Sequence, residues 1–154
     1  MIIYIDADAC PKPVKEILYK AAHSRQVMCI FVANQPLHHP PSPFIKTRCV
    51  DKGFDVADNY IVTKVTQGDL VITADIPLAK EAIDHGGIVI TPYGRQYTKT
   101  NIAQVYAMRN FYSELRDAGL VETRTKSFSN QNNNAFSNAL DQLLTKAGFL
   151  GLGK

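Results

Sequence analysis

The chain has 154 residues, 45% of them hydrophobic and 20% charged, with a net charge of +3. That length suits one domain with its own core, without metal or disulfide staples. No apolar stretch approaches the ~20 residues of a membrane helix. The small positive charge permits contact with phosphate backbones without demanding it.

The start, Met1-Ile2-Ile3-Tyr4-Ile5, has no basic n-region and no cleavage site, so it does not read as a signal peptide. Cys10, Cys29 and Cys49 are odd in number and widely spread, which excludes a Cys-x-x-Cys pair and a metal finger. A reducing, cytoplasmic setting is expected.

Ile2 to Ile5 is a short apolar run stopped by Asp6-Ala7-Asp8, the pattern of a strand buried on both faces. Pro11 and Pro13 then open a helix through Val14, Ile17, Leu18, Ala21 and Ala22. Val27 to Ala33 is a second strand. Asn34 to Phe44 carries four prolines and reads as a loop. Phe44 to Val50 alternates and predicts a strand nearer an edge. A helix follows from about Val56 to Thr66, then a fourth strand from Leu70 to Thr73. Asp75 and Pro77 start a helix that Gly86-Gly87 ends. Ile88 to Ile90 is the fifth strand, and Thr91 to Thr100 a polar loop. A long helix spans Asn101 to Asp117, residues 123–134 read as a mobile polar loop, and Phe136 to Leu144 form a last helix. Residues 1–150 make one domain, with 151–154 a frayed tail. Strands alternating with helices predict a doubly wound α/β domain on a mostly parallel five-stranded sheet.

Ligands of such sheets bind outside the C-terminal ends of the strands. Asp6 and Asp8 end the first strand, Asn34 the second, and Asp75 the fourth, after Thr73. Carboxylates from the first and fourth strands meet if those strands are neighbours, and their repulsion then calls for a cation. Asp58 shares a helix face with Ile61, Val62 and Val65, an unusual place for a charge without a task. The plainer reading stays open: Asp8, Asp55 and Asp75 each precede a helix, and Asp58 suits a first turn. Asp69 begins the fourth strand and lies at its other end, outside the site.

An all-carboxylate site selects Mg²⁺ or Mn²⁺, and no histidine or cysteine is placed to recruit zinc. Cys10 has no evident histidine partner and reads as packing. The loop from Tyr93 to Asn101 is basic, and it follows the fifth strand, so it is expected at the edge of the aspartates. Arg95, Lys99 and Tyr97 there suit phosphate contact and base stacking, with Lys12 from the first helix. The alternative is a helix-entry loop capped by Thr98 or Thr100.

The segments "YIDADACPKPVKEIL", "VANQPLHHPPSPFI", "GFDVADNYIV", "GDLVITADIPLAKEAI" and "GRQYTKTNI" resemble the uncharacterised bacterial YaiI/YqxD family, a likeness covering Ile2 to about Leu144. That family looks like a branch of the PIN-like fold. The resemblance implies a strand order 3-2-1-4-5, and Asp6, Asp58 and Asp75 match the PIN acids in turn, with Asp8 an extra acid. It implies a metal-dependent, ribonuclease-like site. Two positions depart from the pattern: Asn132-Asn133 stand where the family often has Asp-Arg, and Tyr93 where it often has Arg.

The expected function is hydrolysis of RNA or DNA, RNA being favoured, by Mg²⁺ or Mn²⁺ held on Asp6, Asp8, Asp58 and Asp75. Asn34, Thr73, Lys12, Arg95, Tyr97 and Lys99 would contact substrate. The competing class is a non-catalytic binding module for nucleic acid or protein. A small-molecule phosphatase is weaker, because Asp6-Ala7-Asp8 would then need lysine and threonine motifs that the sequence does not place.

Overall fold

The computed structural model describes residues 1–53, 56–119 and 130–149. Strands β1 (Ile2–Asp6), β2 (Met28–Ala33), β3 (Ile45–Cys49), β4 (Leu70–Ile72) and β5 (Ile88–Ile90) are parallel, and β6 (Gln96–Tyr97) runs antiparallel to β5. The order is β3-β2-β1-β4-β5-β6. The first and fourth strands are therefore adjacent, with Tyr4 level with Val71 and Ile5 with Ile72.

The helices are α1 (Lys12–Arg25), α2 (Val56–Lys64), α3 (Ile76–Asp84), α4 (Lys99–Asp117) and α5 (Asn130–Lys146). Strand alternation sorts the core into two layers. Ile3, Ile5, Phe31, Leu70, Ile72 and Ile90 face α1 and α5, meeting Val14, Leu18, Phe136 and Leu140. Tyr4, Val32, Val71 and Val89 face the other side, against Ile61 of α2, Leu78 and Ala82 of α3, and Ile102 of α4. Each fully buried large apolar side chain contributes about 1.5–3 kcal/mol. Arg25 ties the α1 layer to α5. It pairs with Asp141 and donates to Thr145 Oγ1 at 3.2 Å and the Phe149 carbonyl at 2.7 Å.

The sheet has six strands where five were expected, because the segment after Ile90 is not all loop. Thr91 and Arg95 close a tight turn, with the Thr91 N–H on the Arg95 carbonyl at 2.8 Å. Gly94 makes that turn possible. Its φ is +91°, and a Cβ there would stand 2.6 Å from the Ala135 backbone of α5. A two-residue strand is too short for alternation to reveal. Helix α4 begins at Lys99 rather than Asn101, because Thr98 and Asn101 form a reciprocal capping box. Asn132-Asn133 lie within α5, not in a loop; residues 120–129 and the expected tail, 151–154, lie outside the described residues. Among the described residues no helix is long and apolar enough to cross a membrane.

Candidate functional site

Where β1 and β4 end, alternation turns Asp6 and Thr73 to the α2–α3 side, following Tyr4 and Val71. Both are buried. The Thr73 hydroxyl donates to Asp6 Oδ2 at 3.3 Å and accepts the Asp75 N–H at 3.0 Å. Asp75 is the N-cap of α3, its Oδ1 accepting from the Leu78 N–H at 2.9 Å. One threonine thus links the acid of β1 to the acid that opens α3. Asp8 lies in the single 3-10 turn after β1, exposed, and its Oδ2 accepts the Asn34 N–H at 2.8 Å.

The electrostatics single out Asp6. Burial is the main cause that raises its carboxyl above the ordinary range. The Thr73 hydrogen bond works the other way, while the charges of Asp75 and Asp8 push it further up. Burial also lifts the Cys10 thiol to about 12, which fits a packing residue and not a nucleophile.

Asp6, Asp8 and Asp75 share a pattern. Each commits one oxygen to a protein donor, and among the described residues none of the second oxygens has one. Carboxylate and hydroxyl oxygens are the donors that hard cations take, so the donor chemistry fits Mg²⁺ or Mn²⁺. The acids are held apart by local structure, however. Among the described residues no three His, Cys, Asp or Glu side chains form a group able to hold a metal ion. Asp58 is half-buried in the first turn of α2, whose Ile61 packs in the same layer as Tyr4 and Val71. For Asp75 the capping role weighed from sequence is present; Asp8 caps nothing, since Pro11 precedes α1.

The basic residues separate. Arg95 stays at the aspartate edge, its N–H on Thr91 Oγ1 at 3.1 Å. The antiparallel β6 then carries the chain back, with Gln96 level with Ile90 and Tyr97 with Val89. Lys99 consequently lines a cavity with Gly86, Gly87 and Gln67, at the N-terminal edge. Its expected place beside the aspartates is corrected by β6. Tyr97 is a core residue, 7% exposed, with the Arg95 guanidinium 5.3 Å above its ring. It offers no free face for a base. Lys12 is exposed at the start of α1. The link between Asn34 and Asp8 had no sequence signal, being a backbone N–H reaching across 26 residues.

The family model described as "Uncharacterized BCR, YaiI/YqxD family" matches residues 4–146. A "UPF0178 protein" of Cellvibrio japonicus is 52% identical over 147 residues, covering 95% of this chain and 97% of the relative. The "UPF0178 protein" of Aeromonas salmonicida is 54% identical over 146 residues, with the same coverage. No solved structure matches.

Proposed function

The chain belongs to the YaiI/YqxD family, and from that premise we propose that its aspartate edge is a metal-dependent nuclease site acting on RNA in preference to DNA. The observation that carries this reading is Asp6: a buried carboxylate at the C-terminal end of a parallel strand, whose pKa burial and the charges of two further acids raise. Such a group costs stability as it stands, and a cation relieves that cost. Functional sites are where such perturbed groups concentrate.

To hold the ion through their second oxygens, Asp6, Asp75 and Asp8 would have to draw closer together, with Asp58 joining from α2 in the PIN-like arrangement. A bound Mg²⁺ or Mn²⁺ would supply Lewis acidity and positive charge at a phosphoryl group. Thr73 fixes the orientation of Asp6 and the backbone of Asp75 together. Arg95, steadied over Tyr97, presents a guanidinium suited to phosphate at the same edge. Asn34 bonds Asp8, and Lys12 opens α1 four residues further along the chain.

A second reading, a non-catalytic binding module of the same architecture, is favoured by one observation. Asp75 and Asp8 each already accept a backbone N–H, Asp75 as the cap of α3 and Asp8 from the distant Asn34. Incubation with mixed RNA and DNA oligonucleotides under Mn²⁺ separates the two. Metal-dependent cleavage lost in Asp6→Asn supports the nuclease; binding without cleavage in either protein selects the module.

A further inference from the structure

On the α1 side of the sheet, the proline-rich segment after β2 stands away from α1 and leaves a groove. Two cavities make it up. One, about 500 Å³, lies between Lys12, Lys15 and Tyr19 of α1 and Pro36, His38 and Pro40. The other, about 460 Å³, continues past Tyr19 and Lys20 to His23 and Pro41. They share Tyr19 and Pro40, so the groove follows one helical face at spacings of three and four. From Lys12 to His23 it is about 17 Å long at ~1.5 Å per residue. Tyr19 holds the middle: its ring packs on Phe31 at 5.0 Å, and its hydroxyl donates to the His38 carbonyl at 3.4 Å.

The charge of this groove is one-sided. Lys12, Lys15 and Lys20 line it against a single carboxylate, Glu16. Among the described residues none of the three lysines has an ion-pair partner; the pairs present are Arg25–Asp141 and Lys80–Asp84. Cations along one wall, with an aromatic ring and prolines beside them, match a flexible polyanion that carries flat apolar groups. We propose that the groove binds a single strand of RNA, its phosphates on Lys15 and Lys20 and its bases against Tyr19 and Pro40. Unpaired bases can stack on such a surface; those of a duplex cannot reach it. The site does not depend on the aspartates, although its Lys12 end opens four residues along the chain from Asp8, and Asn34, which bonds Asp8, comes two residues before Pro36 of the opposite wall.

The test is fluorescence anisotropy with a labelled oligouridylate about a dozen nucleotides long, in EDTA and low salt, so that cleavage plays no part. Lys15→Glu combined with Lys20→Glu should weaken binding about tenfold or more and flatten its salt dependence. Lys64→Glu, a single such charge reversal on α2, should stay within about twofold of wild type. Tyr19→Leu, which keeps an apolar contact with Phe31, should also weaken binding. Failure of the nuclease reading would show separately, as wild type that binds here yet cleaves no oligonucleotide under Mn²⁺. The proposal is overturned if wild type does not bind, or if the lysine variant binds equally. Equal competition by duplex RNA or by polyglutamate would overturn it too, the latter pointing to an acidic peptide.

Discussion

The β1–β4 pair has a buried aspartate at each end, and the two are equally hidden, Asp69 at 6% exposure and Asp6 at 9%. They differ in their partners. Asp69, just before β4, accepts the Ile2 N–H on Oδ1, and the Thr66 N–H and hydroxyl on Oδ2, all at 3.0 Å. Both oxygens are used, and the carboxylate closes the N-terminal edge as a structural clasp. Asp6 has one long hydrogen bond and two acidic neighbours. Burial alone therefore does not mark a functional acid; burial with unspent acceptors and like charges nearby does.

The clasp is where a single substitution should cost most. Asp69→Ala removes the acceptor of three part-buried donors and should cost about 3 kcal/mol in urea denaturation. A loss under ~1 kcal/mol would show that Asp69 is not structural. At the other end, Mn²⁺ at a hundredfold over its dissociation constant should stabilise wild type by about 2.7 kcal/mol and leave Asp6→Asn unmoved in a thermal melt. Equal shifts in both proteins would place the ion elsewhere. Thr73→Val removes the hydroxyl that links Asp6 to the Asp75 N–H, and should cost about 1–2 kcal/mol. NMR titration should also show the Asp6 carboxyl moving further up, since that hydrogen bond is what lowers it.

Asp6→Asn should have a gentler effect of opposite sign. The folded pKa of Asp6 lies above that of a free aspartate side chain. The native state thus holds the proton more tightly than the unfolded chain, and stability falls as pH rises through that interval. The variant escapes this, so at neutral pH its Tm should exceed that of wild type by roughly 2–4 °C, the shift of ~1 kcal/mol at this length. The gap should close below about pH 4, where both states of wild type are protonated. A variant less stable than wild type at pH 7 would make Asp6 a clasp like Asp69. The smallest effect tests the two edges: Arg95→Ala should weaken RNA affinity a few-fold at low salt, and Lys99→Ala should not. Equal losses would contradict the separation that β6 imposes.

Much of this was legible in the chain. Apolar runs such as Ile2–Ile5 and Leu70–Ile72, each bounded by a polar stop, predict buried parallel strands, and helical periodicity places the segments between them. The exclusion of Asp69 from the site also followed from sequence, because strand length alone puts it at the wrong end. The capping readings of Asp75 and Thr98 were equally available, since caps are local chemistry.

The residues that sequence misplaced depend on contacts between distant segments. Lys99 and Tyr97 looked like edge residues until two residues of antiparallel pairing with β5 turned one back and buried the other. The groove along α1 needed the proline-rich segment to stand off the helix, which no period encodes. The sequence by itself determined which residues form strands and helices and which acids end them, because those follow from local periodicity and chain direction. Only the tertiary structure decided which buried acid is satisfied, because a hydrogen-bond partner 67 residues away, Ile2 for Asp69 or Thr73 for Asp6, is set by how strands align in space.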